Sequence, residues 1–484
     1  MSLNNNIVLS AELKRLLPAG QVMSDPADCW VYGYDNSRKH HLPEAVVFAH
    51  THEDVLSVVR WCNSRQVALT ARGRGTGTTG ATVPVAGGVV LSLERMNRVL
   101  EISADNRFAR VEPGLTNQAL QDALAPLGFF WPPDPTSAAF CSVGGNLAYN
   151  SAGPRAVKYG TPRENTLGLR AVTGDGRDIR VGVFTTKGVV GYDLTRLLIG
   201  SEGTLAVITE ATLKLTPLAQ EKRTLRAVYA TVDAAAQAIA RVMAQPVTPC
   251  ALEFMDYNAI EMIRQYSASD LPQNAGALLM IEVDGASAGL NEAVEQVVQA
   301  ARVEGCQDVR VARTREEVDA LWQTRKALSP ALRKVAPGKI NEDVVVPVTE
   351  LPALIAGLNQ LSKRFDLRIV NFGHSGNGNI HVNILLDPQQ PEQVARAHDC
   401  LAEVFALVLE LRGTLSGEHG IGLEKRDYIE QELGADVLDL MSAIKRQFDP
   451  NNILNPGKLP RGYANSEAST GAPVPPGMGI YTSK

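Results

Sequence analysis

The sequence predicts an α+β protein, and three observations along the chain favour that class. Residues 44–72 read as a β-α-β unit, and residues 88–217 carry short strands separated by turns. From residue 224 onward, apolar stretches of strand length alternate with stretches that have the periodicity of amphipathic helices. That alternation is typical of an antiparallel sheet backed by helices, and it suggests two ferredoxin-like halves.

The composition is that of an ordinary globular chain and excludes several classes of protein. Among 484 residues, 45% are hydrophobic and 20% are charged, and the net charge is −5, which argues against disorder and general nucleic-acid binding. No apolar run reaches the roughly 18–20 residues of a transmembrane segment, and the N-terminus lacks a secretory signal pattern. The six cysteines stand singly, with no CxxC pair. We therefore expect a cytoplasmic protein, with peripheral attachment to the inner membrane through a partner as the alternative.

The β-α-β unit has a recognisable helix start. Residues 44–50 (EAVVFAH) predict the first strand, and Thr51 and Asp54 have the spacing of a capping box. A helix with one apolar face follows, and residues 67–71 predict the next strand. A second helix is expected from about residue 116 to 127.

The second half of the chain predicts regular elements in close succession. Strands are expected at 225–230, 251–256, 276–283, 309–313, 343–348, 367–372 and 380–386. Helices are expected near 233–244, 257–266, 289–304, 316–335, 349–364, 392–412 and 435–447.

A glycine-rich loop, RGRGTGTTG at residues 72–80, directly follows a predicted strand. It matches the GxGxxG pattern, but Pro84 and the strand after it leave no room for the helix that a dinucleotide-binding Rossmann motif requires. A loop this dense in backbone N–H groups can still cradle phosphates. A flexible surface loop is the alternative, which the presence of Arg72 and Arg74 disfavours.

Two further stretches suit a planar polar ligand. PDPTS at 133–137 leads into SVGGNLAYNSAG at 142–153, which is expected to be a loop in which small residues alternate with side-chain amides. GSEGTLAVIT follows at 200–209. Each stretch by itself is weak evidence for a ligand site. The order and spacing of the stretches along the chain make the evidence specific.

Four of the eight histidines lie between residues 374 and 419. His381 and Asn383 share one face of a predicted strand, and His374 precedes them across a glycine-rich turn. Two imidazoles with a carboxylate such as Glu418 form a usual set for a catalytic divalent metal, and zinc, iron and manganese all suit it. The alternative is a pair of structural histidines beside a turn.

These stretches, taken together with FDPNNILNPGK at 448–458, resemble one flavoprotein family. The chain is similar, from about residue 30 to 460, to the FAD-linked D-2-hydroxy acid dehydrogenases of the vanillyl-alcohol oxidase/p-cresol methylhydroxylase (PCMH) superfamily. The resemblance implies a PCMH-type FAD-binding domain, a ferredoxin-like substrate domain and a C-terminal helical cap that returns to the flavin. It also implies these domain boundaries: an N-terminal segment at 1–39, the FAD-binding domain at 40–218, the substrate domain at 219–412, a C-terminal active-site segment at 413–460 and a mobile tail at 461–484.

The resemblance also assigns roles to single residues. The residues that it implies for FAD binding are Arg72, Gly73, Arg74, Gly75, Thr76, Gly77, Thr78, Gly80, Pro133, Asp134, Ser142, Gly144, Gly145, Asn146, Asn150, Gly153, Glu202, Gly203, Ile208 and Asn455. Some relatives attach FAD through a histidine of the first loop. No histidine lies between residues 53 and 373, so we expect FAD to be bound without a covalent link.

The same resemblance implies a catalytic set in the later part of the chain. His374, His381 and Glu418 match the metal ligands, and the metal is expected to be zinc, manganese or iron. His419 matches the general base, a role that suits an imidazole near neutral pH. Arg325 matches the arginine that binds the substrate carboxylate. Lys339 is a second candidate cation, and Asn383 joins the catalytic residues.

The implied function is oxidation of a D-2-hydroxy acid, of the D-lactate or glycolate type, to the 2-oxo acid. D-2-hydroxyglutarate dehydrogenase is one alternative, and a non-catalytic FAD subunit of a multi-subunit oxidase is another. The sequence shows no second redox centre, so we expect a separate electron acceptor: a quinone-linked partner, an electron-transfer flavoprotein or a cytochrome. A homodimer is expected, with neither a nucleic-acid partner nor a transmembrane segment.

Overall fold

The described residues, 3–266 and 273–459, fall into two units in this computed structural model. The first unit comprises residues 3–152, 160–218 and 418–459, and the second comprises 153–159 and 219–417. The predicted mobile tail, 461–484, lies outside the described residues. The finer five-part division predicted from the sequence stays a prediction.

The strands of the first unit form three sheets within the described part of the chain. They are β1 (Val22–Met23), β2 (Ala45–Phe48), β3 (Leu69–Arg72), β4 (Val89–Ser92), β5 (Val99–Ser103), β6 (Phe108–Val111), β7 (Phe129–Phe130), β8 (Thr166–Thr173), β9 (Asp178–Gly182), β10 (Ala206–Lys214) and β11 (Thr216–Pro217). The first sheet has the order β1-β2-β4-β3, and β2 and β3 run parallel to β4 between them. The second is antiparallel, in the order β5-β6-β10-β8-β9, and β11 pairs with β7.

Helices pack on these sheets. They are α1 (Leu3–Leu16), α2 (Pro26–Cys29), α3 (His52–Arg65), α4 (Asn117–Leu124), α5 (Val143–Tyr149), α7 (Leu194–Leu198), α14 (Ile429–Leu433) and α15 (Ala435–Phe448). The predicted capping box of α3 is confirmed, because Thr51 accepts from the backbone of Asp54 and the Asp54 carboxylate accepts from the backbone of Thr51. Its buried face carries Val55, Val58 and Val59 into the same core as β2 and β4.

One prediction for this unit was wrong. The stretch expected as a loop at 142–153 contains α5, despite two glycines in its first turn. Ser142 caps the helix by accepting from the N–H of Gly145 (3.2 Å), which offsets part of the low helix propensity of glycine. Gly144 must be small, because a Cβ there would lie 2.6 Å from Cβ of Pro113.

The second unit holds one antiparallel seven-stranded sheet within its described residues. Its strands are β12 (Glu221–Tyr229), β13 (Ala251–Asp256), β14 (Ala277–Gly285), β15 (Cys306–Val311), β16 (Gly338–Val345), β17 (Arg368–His374) and β18 (Asn379–Leu386), in the order β15-β12-β14-β13-β17-β18-β16. The first four strands have the 4-1-3-2 order of a ferredoxin-like fold. The last three repeat it, with the fourth strand reduced to a bridge between Thr414 and Val345. The two predicted halves are therefore confirmed, joined by pairing of β13 with β17.

Helices accompany this sheet: α6 (Ala156–Tyr159), α8 (Val232–Ala244), α9 (Tyr257–Tyr266), α10 (Ser287–Ala301), α11 (Arg315–Val335), α12 (Leu351–Phe365) and α13 (Pro391–Glu410). Apolar residues of α9 and α11 share a core with Val370 and Leu385 of the sheet. The strand predicted at 343–348 begins earlier, at Gly338, so Lys339 lies within it. No helix in the described ranges has the length and hydropathy needed to cross a membrane.

Candidate active site

The glycine-rich loop of the first unit leaves the end of β3, and the next regular element is β4. The predicted absence of a Rossmann helix is therefore confirmed. The loop lies so close to α5 that side chains would not fit. A Cβ at Gly73 would lie 2.4 Å from Oγ of Ser142, and one at Gly77 would lie 2.4 Å from the hydroxyl of Tyr149.

The C-terminal stretch of the first unit binds the same loop through the backbone. The N–H of Leu423 donates to the carbonyl of Thr79 (2.7 Å), and the Thr79 hydroxyl donates to the carbonyl of His419 (3.3 Å). Asn455 donates its amide to the carbonyls of Ala81 and Glu202 (2.8 Å each). Residues more than 300 positions apart in the sequence thus form one structure around the loop.

Glu202, which the resemblance implies for FAD binding, forms hydrogen bonds within the first unit. Its buried carboxylate accepts from the N–H groups of Ile421 (2.6 Å) and Gly422 (2.8 Å). Burial raises the pKa of this carboxyl group, although the two N–H groups act to lower it. Glu202 therefore fixes the segment that follows His419.

The guanidinium groups of the loop differ in environment. Arg72 is buried and donates to the carbonyl of Tyr34 (2.6 Å), and burial lowers its pKa. Arg74 is partly exposed and faces Glu94 at 3.7 Å. Arg72 is therefore a structural support of the loop, whereas Arg74 keeps its guanidinium near solvent.

The amide-rich stretch around α5 is tied together by its own polar groups. Asn117 donates to the carbonyl of Pro133 (2.9 Å) and to Oδ1 of Asn146 (3.1 Å). Oδ1 of Asn150 accepts from the hydroxyl of Thr161 (2.9 Å). These bonds hold the segment that was predicted to line the flavin.

The other residues predicted for FAD binding lie in the first unit, with one exception. Gly153 belongs to the second unit. The first unit holds Gly75, Thr76, Thr78 and Gly80 in the loop, Asp134, whose N–H donates to the carbonyl of Ala152 (2.7 Å), Gly203 with φ of 70°, and Ile208 in β10 opposite Ala171.

Two oxygen atoms of this region fit a polar ligand. Oγ1 of Thr78 and Oδ1 of Asn455 are buried and make no hydrogen bond within the described residues. Buried polar atoms normally have a partner, so a bound molecule with hydrogen-bonding groups is expected there. The polar edge and diphosphate of FAD have such groups.

The second unit brings polar side chains to one face of its sheet. This polar face consists of Glu253 on β13, His374 on β17, His381 and Asn383 on β18, and Lys339 and Asp343 on β16. The six residues come from four strands, and pairing of neighbouring strands puts them side by side. All six are buried.

His374 and His381 are neighbours on the polar face. Their ring centroids are 5.3 Å apart at 85°, and nitrogen atoms of the two rings lie within 4.8 Å of one another. Imidazole nitrogens at this spacing fit a shared divalent metal after a small side-chain adjustment. Both predicted histidine ligands therefore have a geometry that suits their role.

Glu253 is a site residue that the sequence reasoning missed. Oε1 lies 2.5 Å from Nδ1 of His374, and Oε2 accepts from Nε of Arg325 at 2.6 Å. Burial acts to raise the pKa of Glu253, but His374 and Arg325, which face the carboxylate and hydrogen-bond to it, outweigh burial and lower that pKa to about 2. An acid inside the otherwise apolar stretch ALEFM was the signal that could have indicated it.

Asp343 is the second missed residue. Its carboxylate accepts from the hydroxyl of Ser416 (3.1 Å) and the N–H of Gly417 (2.8 Å). Glu418 follows Gly417 in the chain, so Asp343 anchors the segment that leads to the predicted third ligand. The carboxylate is fully buried on β16, directly opposite His381.

The two predicted cations occupy different surroundings. Arg325 on α11 packs its guanidinium over the ring of Phe372, 4.9 Å from its centroid. Lys339 is buried and donates to Oδ1 of Asn383 at 3.0 Å. The amide of Asn383 donates in turn to the carbonyl of Val370 (3.1 Å), which fixes its orientation.

Comparison with family models defines the class of protein. Residues 43–182 match the FAD-binding domain model, and residues 218–459 match the model for the C-terminal domain of FAD-linked oxidases. The chain is an FAD-linked oxidoreductase. The fold agrees, since a p-cresol methylhydroxylase with bound substrate superposes with a TM-score of 0.76 at 17% identity, over 95% of this chain and 97% of that one.

Curated relatives narrow the class to a family. The chain is 38% identical to the glycolate oxidase subunit GlcD of Bacillus subtilis (strain 168), over 89% of this chain and 92% of the relative. It is 34% identical to a D-lactate dehydrogenase of Anaerostipes hadrus, over 92% and 94%, and 33% identical to a D-2-hydroxyglutarate dehydrogenase of Xanthomonas citri pv. viticola, over 96% and 98%. The chain belongs to the family of FAD-linked oxidoreductases that contains these three groups.

Proposed function

We propose that this flavoprotein oxidises a D-2-hydroxy acid of the D-lactate or glycolate type to the corresponding 2-oxo acid. One observation carries the proposal: Glu253 holds His374 of the histidine pair and Arg325 through its two oxygens, 2.5 and 2.6 Å away. Glu253 thereby connects a guanidinium, which is a carboxylate-binding group, to an imidazole, which is a metal-binding group. The names of the relatives, glycolate oxidase subunit and D-lactate dehydrogenase, are consistent with a substrate that has both a carboxylate and an adjacent hydroxyl.

Arg325 binds the substrate carboxylate in this proposal. Its Nε is taken by Glu253, and the two terminal nitrogens make no hydrogen bond to the described residues. Two parallel N–H groups of a guanidinium match a carboxylate in a two-pronged arrangement. The ring of Phe372 supports the guanidinium plane.

His374, His381 and Glu418 are the proposed metal ligands, and zinc, manganese and iron suit this set. A metal held there would supply the positive charge that lowers the pKa of the substrate hydroxyl, and FAD, held without a covalent link, would supply the acceptor for the hydride of Cα. A ring nitrogen of His419 takes the hydroxyl proton. The glycine-rich loop, the α5 region and Asn455 hold FAD.

The proposal includes a separate electron acceptor for the flavin, because the sequence carries no CxxC or haem-attachment motif that would indicate a second redox centre. A quinone-linked partner, an electron-transfer flavoprotein or a cytochrome would serve.

A second candidate, oxidation of D-2-hydroxyglutarate, is favoured by Lys339. This buried ammonium on the polar face gives a second cation besides Arg325, and a dicarboxylate has a second anionic group to pair with it. A relative of that name shares 33% identity. The distinction between the two candidates is therefore a matter of substrate length and charge.

Anaerobic mixing of the FAD-loaded protein with single acids tests both candidates. Flavin bleaching at 450 nm is followed with D-lactate, glycolate, D-2-hydroxyglutarate and the L-enantiomers of the two chiral acids. The proposal expects rapid bleaching by D-lactate or glycolate and none by the L-acids. Fastest bleaching by D-2-hydroxyglutarate would establish the second candidate, and a flavin that no acid reduces would contradict both.

A further inference from the structure

We propose that Glu253 is a positioning residue that sets the orientation of a metal ligand and of the substrate-binding arginine at the same time. The inference rests on the proposed function for the roles of His374 and Arg325. Glu253 itself is not one of the residues predicted from the sequence motifs. It lies on β13, whereas His374 lies on β17 and Arg325 on α11.

The contact with His374 determines which ring nitrogen is available. Oε1 of Glu253 lies 2.5 Å from Nδ1, so Nδ1–H donates a hydrogen bond to the carboxylate. The other nitrogen, Nε2, then keeps its lone pair for a metal. A carboxylate behind a ligating imidazole also increases the basicity of the ligand and restricts rotation of its ring.

The contact with Arg325 determines how the guanidinium is presented. Oε2 accepts from Nε, on the inner edge of the guanidinium, at 2.6 Å. This leaves the outer edge, with the two terminal nitrogens, for a two-pronged carboxylate. Together with the ring of Phe372 beneath it, Glu253 fixes both the plane and the direction of the group.

The environment shows that this arrangement is specific. Glu253 is 1% exposed, and a charge buried to that degree is costly unless good geometry compensates for it. Packing alone would be satisfied by an apolar residue, as in the neighbouring positions of ALEFM. The carboxylate keeps one oxygen for each partner, so no neutral side chain can serve both in the same way.

Glu253→Gln is the decisive variant, because an amide has one acceptor oxygen and one donor nitrogen. It can accept from His374 or from Arg325, but it places a donor against the other. Glu282→Gln is a matched control. Glu282 is 3% exposed on the neighbouring strand β14, on the same side of the sheet, and it accepts from Trp322 and Thr224 (2.8 Å each).

The readouts are FAD content, Co²⁺ binding followed through the visible spectrum of the metal, and KM and kcat for the acid that reduces the flavin best. For Glu253→Gln we expect full FAD content, Co²⁺ affinity lowered by about 10- to 100-fold with an altered cobalt spectrum, and a raised KM. Glu282→Gln should match wild type in the cobalt spectrum and affinity. If Glu253→Gln does not fold, Glu253→Asp replaces it, since a side chain one methylene shorter cannot reach both partners.

The outcomes separate this inference from the proposed function. Wild-type Co²⁺ binding and KM in the Glu253 variant, with an active parent enzyme, would overturn the inference and leave the proposed function standing. A wild-type protein that oxidises no 2-hydroxy acid but loses Co²⁺ affinity on Glu253→Gln would contradict the proposed function and support the role at His374. Equal losses in both Glu→Gln variants would show a general effect of removing a buried charge, and would overturn the inference.

Discussion

The two units each contain a buried glutamate at the centre of their candidate sites, and the two behave oppositely. Glu202 in the first unit is 5% exposed and accepts from two backbone N–H groups. Burial outweighs these bonds and the charges of Lys425 and Lys458, so the pKa of Glu202 is raised. Glu253 in the second unit is 1% exposed but bonds directly to His374 and to the guanidinium of Arg325, and its pKa is lowered to about 2. Two deeply buried carboxylates therefore have pKa shifts of opposite sign, because Glu253 hydrogen-bonds directly to a guanidinium and an imidazole, whereas the hydrogen bonds of Glu202 come from neutral backbone N–H groups.

This difference extends to how each unit builds its site. In the first unit, glycines of the loop pack closely against α5, and backbone N–H groups donate to the carboxylate of Glu202. The second unit uses charged side chains fixed to each other across strands. We therefore expect substitutions in the second unit to affect chemistry with FAD still bound, and substitutions in the first unit to affect FAD retention.

The largest expected effect comes from removing a proposed metal ligand. His374→Ala should reduce turnover to background while FAD stays bound, since His374 belongs to the second unit and the loops that we propose for FAD binding belong to the first. Turnover, metal content and the ratio of flavin to protein are measured on one sample. His398→Ala, at an exposed position of α13, is the control. Loss of FAD in the His374 variant would contradict the expectation that substitutions in the second unit leave FAD bound.

Next in size is removal of the proposed base. His419→Asn should slow flavin reduction by about 10²- to 10⁴-fold, which is typical for loss of a general base. Metal content must be measured too, because His419 adjoins Glu418. Residual activity should recover at high pH, where hydroxide replaces the imidazole. A near-normal rate at every pH, with metal retained, would assign the base to another group.

A smaller effect is expected at Arg325, the arginine that we propose for substrate binding. Arg325→Lys keeps the charge but loses the two-pronged geometry and the Nε–H donated to Glu253. We expect KM to rise by about 10-fold, corresponding to roughly 1.4 kcal/mol, with FAD affinity unchanged. Steady-state kinetics and flavin titration measure the two quantities. An unchanged kcat/KM would show that another cation, such as Lys339, binds the carboxylate.

Much of this architecture could be predicted because its signals are local. Thr51 and Asp54 form a capping box within four residues, and Pro84 excludes the Rossmann helix from its position alone. The helix at 143–149 was missed because its two glycines predict a loop, and the cap at Ser142 offsets only part of their low helix propensity. The helix also packs against Pro113, which is distant in sequence.

The missed site residues lack a local signal of that kind. Glu253 lies 121 residues before His374 and 72 before Arg325, and its role follows only from the pairing of β13 with β17. Asp343 acts on Gly417, 74 residues later. Histidines and glycines indicate a functional site by their type and spacing in the sequence. The carboxylates that hold these residues in place can be identified only when the order of the strands in the sheet is known.

The smallest expected effect returns to Glu202. Glu202→Gln should lower the midpoint of thermal flavin release, because one amide oxygen cannot accept both from Ile421 and from Gly422. Loss of a buried hydrogen bond costs about 1–3 kcal/mol, and the midpoint falls by about 2–4 °C for each kcal/mol in a unit of this size.

The folded-state pKa of Glu202 is raised, so the folded protein binds this proton more tightly than the unfolded chain. Wild-type stability from this group is present at low pH and declines as pH rises from about 4.5 through the raised pKa. The deficit of the variant should accordingly be larger at pH 5 than at pH 8. Glu101→Gln on β5, at a half-exposed carboxylate that faces Arg110 at 3.4 Å, controls for general charge effects. A deficit that grows with pH would show that the ionised carboxylate of Glu202 is the stabilising form, and would remove the contrast with Glu253.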